Sequence, residues 1–346
     1  MIDCFLAESL CQLRQEIRQL TSGIKDSPAD QIPVSLEKNL SQELSRLLKS
    51  ALGQGDFFRA GQKKAECLVW LTEELASHFP ESGLELAVQQ GLILPVLRLS
   101  GLIDEKSEEP SRRKNGRNYV LDEVNHLFLP LPARRTLRLM LEEMAGGPAS
   151  PGENWESTVP VFNGLPLRKI LLPASGESRD VSNPVVSYYL VESPGIRIYD
   201  CRPAKRYFPL RPARCELRLD SGSNWTKQPV LQLQLGQFQS LLAGYYLLLT
   251  ACFSGWLRTA WQSLASRRPP QGWPSTLEAE ICFLATELGR LQFGLYHLSQ
   301  AQPGSPAHFL VKVEKLGLKG LHLASRAWKY LDRAGSTINF QMGEER

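Results

Sequence analysis

The side chains best suited to chemistry in this sequence are cationic, and they gather in two places. Between Arg197 and Arg218 seven basic residues, Arg197, Arg202, Lys205, Arg206, Arg211, Arg214 and Arg218, face two acidic ones, Asp200 and Glu216. Tyr199, Tyr207 and Phe208 are interleaved with them. Cations track a phosphate backbone while aromatic rings stack on bases, so this composition suits a groove for single-stranded nucleic acid or RNA. The motif Arg-Pro-Ala starts at Arg202 and again at Arg211, and its prolines resist a helix, which predicts an extended loop between two strands. The same arginines suit an acidic protein surface, and the aromatic rings suit anchoring of the loop on a core. The second cluster is Arg112-Arg113-Lys114-Asn115-Gly116-Arg117. Its Asn-Gly pair fits a type I′ hairpin turn, and a hairpin tip carrying arginine can enter a minor groove or grip phosphates. Glu105, Glu108 and Glu109 dilute the positive field there.

Motifs for catalysis are not found. Gly55 to Gly61 has the wrong length for a phosphate-binding loop and is followed by Gln62-Lys63. Gly53-Gln54-Gly55 falls between helical segments, where it reads as a helix stop. There is no Gly-x-Ser-x-Gly elbow. None of His78, His126, His297, His308 and His322 pairs with another at a spacing of four, so helical metal-protease geometry has no local support. Glu278 and Glu280 are two apart and face different ways on a helix, and Glu73-Glu74 and Glu142-Glu143 have the same defect. The seven cysteines form no Cys-x-x-Cys. No catalytic residue, metal ligand or cofactor is therefore expected, although a site assembled from distant segments needs no local motif.

These residues have to be placed by elements, and the length bounds those. A chain of 346 residues predicts two or three domains, and its 42% apolar residues are ordinary for a globular protein. A net charge of +4 argues for no partner by itself. Charges interrupt the N-terminal apolar positions, unlike a signal peptide, and the scattered cysteines fit a reducing compartment, so a soluble cytoplasmic protein is expected. Asn224-Trp225-Thr226 matches the glycosylation sequon without other support for secretion. Ser240 to Leu257 is uncharged but barely long enough to span a bilayer, and its polar interruptions predict a buried core helix and no membrane contact.

Periodicity predicts helices over residues 2–24, 35–52 and 56–79. Ser82 to Gln90 and Leu92 to Ser100 read as two short helices parted by a turn at Gly91, with Pro95 in the first turn of the second. A polar hairpin over residues 106–121 follows, so the order is that of a winged helix-turn-helix. One more helix is predicted over 133–145. Beyond the linker-like Gly146 to Asn154 the period alternates, which predicts strands at Val159–Phe162, Val185–Val191, Ile196–Tyr199, Cys215–Leu219 and Val230–Leu235. The last two read as a hairpin joined by Ser221 to Gln228. Helices are then predicted at 237–266, 275–299 and 305–334, the second opened by the capping box Ser275-Thr276-Leu277-Glu278.

The expected fold is α+β: a helical N-terminal domain with a winged helix over 1–146, a linker over 147–154, a central β-rich domain over 155–235, a C-terminal three-helix bundle over 236–334, and a flexible tail over 335–346. The expected function is a non-catalytic nucleic-acid-binding subunit of a larger complex. DNA or RNA would meet Arg112, Arg113, Lys114 and Arg117 on the wing and Arg197, Arg202, Lys205, Arg206, Tyr207, Phe208, Arg211 and Arg214 in the centre, while protein subunits would meet the apolar stripes. The alternatives are an adaptor whose arginines bind an acidic protein and a metal-dependent nuclease with a scattered site.

Overall fold

The segment from Leu68 to Ser77 is buried on every side, and so is nearly all of Leu241 to Arg258. A helix buried all round lies at the centre of a core, and these two define it. The computed structural model describes residues 15, 62–78, 80–102, 124–126, 155–161, 169–175, 185–192, 196–203, 213–219, 224–225, 228–266, 275–301 and 304–341. Helix α1 is Gln62–His78; α2 is Pro80–Val88, continued by a π-helical turn Gln89–Ile93 into α3, Leu94–Leu99. The strands are β1 Val124–His126, β2 Trp155–Val161, β3 Lys169–Ser175, β4 Val185–Glu192, β5 Ile196–Pro203, β6 Ala213–Leu219, β7 Asn224–Trp225 and β8 Leu231–Gln234. The chain ends in three long helices, α4 Leu235–Ser266, α5 Ser275–Gln300 and α6 Pro306–Gln341.

Helix α4 is the hub. It packs on α1, α2, α5 and α6, so the helical bundle takes in both ends of the described chain. Leu235–Ser266 is long and apolar enough to cross a membrane by composition, yet its apolar window is 94% buried inside the protein. β8 runs directly into α4, and the backbone N–H of Gln234 donates to Gln237 Oε1 at 3.0 Å across the junction. One sheet has the order β1-β3-β4-β7, with β8 also on β4; a second has the order β2-β6-β5. β3 and β4 are antiparallel with Leu171 opposite Leu190, and β8 places Leu231 opposite Tyr188. Leu171, Val186, Tyr188, Leu190 and Leu233 belong to the same buried cluster as the helices, so the first sheet shares the helical core.

The winged helix-turn-helix is overturned. Gly91 makes no turn: the amide of Leu94 donates to the carbonyl of Gln89, a π-helical bond, and helix continues from Pro80 to Leu99. Two physical reasons are visible. A Cβ at Gly91 would lie 2.8 Å from the Tyr245 Cα, so the glycine serves a close approach of α4 and not a reversal of the chain. Pro95 lacks an amide and its ring crowds the carbonyl four residues back, which is that of Gly91; the wider π turn absorbs both effects. The helix stops only at Gly101, whose φ of 68° is left-handed. Leu102 N–H donates to the Leu97 carbonyl and Gly101 N–H to that of Arg98, the paired bonds of a Schellman cap. Nearby, β1 pairs in parallel with β3, Val124 opposite Lys169, instead of closing a local hairpin. The proposed wing tip, Arg112 to Arg117, lies outside the described residues, as do the helices predicted over 35–52 and 133–145 and, apart from Gln15, the one predicted over 2–24.

The expected α+β arrangement, a winged domain beside a β-rich domain and a separate three-helix bundle, is therefore replaced by a mainly helical architecture in which α1 belongs to the C-terminal bundle. The hairpin expected between β6 and β8 is also absent: β6 lies between β2 and β5, whereas β8 lies on β4.

Candidate functional site

An isolated arginine in a long apolar helix needs a counter-charge, because a buried unpaired guanidinium is costly. Arg258 is such a residue on α4 and is 9% exposed. Its partners come from α1. Arg258 Nη2 lies 2.9 Å from Glu74 Oε2, and Nη1 lies 4.0 Å from Glu73 Oε1. Both carboxylates are buried. Nη2 also donates to the Ser77 hydroxyl. The second helix partner is Ser254, one turn before Arg258, whose hydroxyl donates to Glu73 Oε1 at 3.0 Å. From α5, Gln292 Nε2 donates to the same oxygen at 2.5 Å. His78 Nε2 stands 3.4 Å from Glu74 Oε1 and closes the group at the rim. The Thr259 hydroxyl donates to the Ser77 carbonyl.

Helix geometry explains why neighbours in sequence converge. Glu73 and Glu74 point about 100° apart on α1, but the guanidinium enters between them and takes one on each side. Gly255 permits that entry. A Cβ there would clash with the Glu73 carbonyl and lie 2.9 Å from the Ser77 amide, so only glycine lets the two backbones come this close. A Cβ at Gly83 would lie 2.5 Å from the Ala76 Cβ, which seats α2 equally closely on α1.

This cluster is an ionic clamp between α1, α4 and α5. Glu73 Oε1 already accepts from Ser254 and Gln292, and Glu74 holds the guanidinium, so neither carboxylate is presented to an incoming molecule as a general base. Thiol chemistry is no more favoured: burial, then the charge of Glu66, pushes the Cys67 thiol up to about 11, and burial raises Cys252 further still. Among the described residues no group of His, Cys, Asp and Glu is arranged to hold a metal ion.

The cationic residues singled out by sequence are not brought together by anything described. Arg112, Arg113, Lys114, Arg117, Lys205, Arg206, Tyr207, Phe208 and Arg211 lie outside the described residues. Arg197 falls on β5 as expected, whereas Arg202, also on β5, and Arg214, on β6, occupy strand positions in place of the expected loop. In register, Arg197 stands opposite Arg218 and Arg202 opposite Arg214. The clamp itself was missed. Its signal was a Glu-Glu pair inside the apolar run of α1 together with one arginine in thirty-two residues of uncharged helix.

No protein-family model and no curated protein matches this chain. Its fold does have solved counterparts. Glutaryl-CoA dehydrogenase from Mycobacterium smegmatis aligns with 94% of this chain and 86% of its own, at a TM-score of 0.56 and 16% identity. An electron transferring flavoprotein of Acidaminococcus fermentans aligns with 93% of this chain and 85% of its own, at 0.55 and 14%. Butyryl-CoA dehydrogenase from Megasphaera elsdenii aligns with 93% and 86%, at 0.53 and 11%. The chain thus has the fold of the acyl-CoA dehydrogenases, over almost its whole length. At these identities the likeness establishes the fold alone. It nevertheless overturns the expectation of a non-catalytic, DNA-binding or RNA-binding winged-helix subunit, which rested on another architecture.

Proposed function

We propose that this protein is a redox enzyme built on the acyl-CoA dehydrogenase fold. The supporting observation is the extent of the likeness: helical, sheet and helical segments follow solved dehydrogenases over more than nine tenths of the chain. Another such structure is the glutaryl-CoA dehydrogenase in complex with FADH2, which aligns with 95% of this chain at a TM-score of 0.57.

The described side chains do not themselves fit a flavin dinucleotide. Its pyrophosphate asks for cations or free backbone amides, and its ring for convergent donors. The one buried arginine among the described residues, Arg258, is turned to Glu74 and Ser77. The bundle around α4 is filled by Tyr245, Tyr246, Leu248 and Phe253, each almost wholly buried. These residues are the scaffold, and no reaction step is assigned to them.

The test is direct. The purified chain is denatured and its supernatant examined for flavin absorbance and fluorescence; the intact protein is titrated with FAD while its unfolding temperature is followed; and dye reduction is measured with a panel of acyl-CoA thioesters. A ligand at one hundred times its Kd should add about 2.7 kcal/mol of stability. Released flavin or a saturable FAD-dependent rise, with thioester-dependent dye reduction, is the expected result. Absence of all three overturns the proposal.

A further inference from the structure

An exposed edge of α6, bordering α5, carries a line of basic residues at helical seam spacing. Lys312, Lys315, Lys319, His322, Arg326 and Lys329 follow one another at steps of three, four, three, four and three, and all six are exposed. Such steps keep every member on one narrow stripe. The stripe runs roughly 25 Å at the helical rise. Like charges three or four apart on a helix repel one another, and no acidic residue of α6 interrupts this line.

Two of the cations show what the stripe accepts. Lys319 Nζ lies 2.5 Å from Glu287 Oε2, and Arg326 Nε lies 2.5 Å from Glu280 Oε1. Glu280 and Glu287 are both on α5 and seven residues apart, as are Lys319 and Arg326 on α6. Two carboxylates at heptad spacing on one helix therefore satisfy two cations at heptad spacing on its neighbour. The hydrogen bond from Lys319, with Arg290 contributing, holds the Glu287 carboxyl below its ordinary value. Lys312, Lys315 and Lys329 continue the ladder but form no ion pair among the described residues.

We propose that this stripe docks an acidic helix of a partner protein, one that presents carboxylates at alternating three- and four-residue spacing along its seam. Charge complementarity and the α5 precedent carry the proposal. A membrane surface fits less well: a bilayer reads a plane of charge and imposes no three-four register, whereas a second helix follows such a line along its whole length. The proposal stands whether or not the chain binds flavin.

The test uses the full chain and two dye-labelled probe peptides of about 18 residues, a length that matches the stripe. One carries glutamates at three-four spacing in an alanine-rich helix; the other has the same composition with the glutamates distributed around the helix. Anisotropy at low salt should show the spaced peptide binding roughly tenfold more tightly than the scattered one, a ratio that three added exposed ion pairs supply. K312E/K315E/K329E should remove the preference with an unchanged far-ultraviolet circular dichroism spectrum, and K312R/K315R/K329R should retain it. Equal binding of the two peptides, or a preference that survives charge reversal, overturns the proposal. So does tighter binding to vesicles of phosphatidylcholine and phosphatidylserine than to the spaced peptide, which would assign the stripe to a membrane.

Discussion

Replacing Arg258 with methionine tests the clamp most severely. The variant keeps the bulk of the aliphatic stem but leaves Glu73 and Glu74, respectively 6% and 2% exposed, without their cation. Removing one member of a buried ion pair costs about 3 to 5 kcal/mol, because the remaining charge stays desolvated. Glu73 would keep the Ser254 and Gln292 bonds and Glu74 the His78 contact, which places the expected loss near the lower end, about 3 kcal/mol. The sign with pH follows from burial. Stranded carboxyls are cheaper to bury protonated, so the deficit should shrink at pH 4 and grow toward pH 8. Urea unfolding at the two pH values, followed by circular dichroism and tryptophan fluorescence, measures it. Adding E73Q and E74Q to R258M removes every formal charge and should recover most of the loss, since a neutral replacement of a buried triad is often harmless. A loss under about 1 kcal/mol for R258M, or one that does not vary with pH, would refute the account of Arg258 as the cation that makes this burial tolerable.

Two further outcomes follow from the same core. Gly255→Ala places a Cβ against the Glu73 carbonyl and Ser77 amide, and should destabilise by about 1 to 3 kcal/mol as overpacking does, read as a lower urea midpoint at unchanged slope. Glu314 on α6 has its carboxyl raised by desolvation. A carboxyl raised in the folded state holds its proton better there, so its contribution is full below the ordinary carboxyl value and is lost as pH rises through the folded one. Glu314→Gln should therefore raise the unfolding temperature at pH 7 and change it little at pH 4, and an equal effect at both would exclude desolvation as the cause.

Periodicity located the long elements because their faces differ. The helices predicted at 237–266 and 275–299 are observed at Leu235–Ser266 and Ser275–Gln300, and the capping box at Ser275 marks the start of α5. The strand predicted at Val185–Val191 is observed at Val185–Glu192. Where burial is two-sided, alternation disappears: Leu171, Leu172 and Ala174 of β3 are all buried, and Pro173 sits among them, so that strand gave no signal. Gly91 was ambiguous for a different reason. Glycine serves a turn and a close helix crossing equally well, and only the position of Tyr245 decides between them. The clamp was hidden because its members are distant: adjacent glutamates look divergent until the arginine of a second helix is placed between them. Pairings across a sheet are similarly non-local, which is why β6 and β8 were joined as a hairpin when they belong to different sheets.

The bond from Ser254 to Glu73 joins residues 181 positions apart. Synthesis proceeds at about 5 to 20 residues per second, so α1 leaves the ribosome roughly ten to forty seconds before the helix that covers it. During that interval Leu68, Leu71 and Leu75, together with the charges of Glu73 and Glu74, have no native cover from α4. A nascent chain released early would expose this apolar helix and depend on chaperones. Production of the N-terminal portion alone should therefore give aggregation, and co-expression with the remainder should restore solubility only where the two pieces meet before α1 finds another surface.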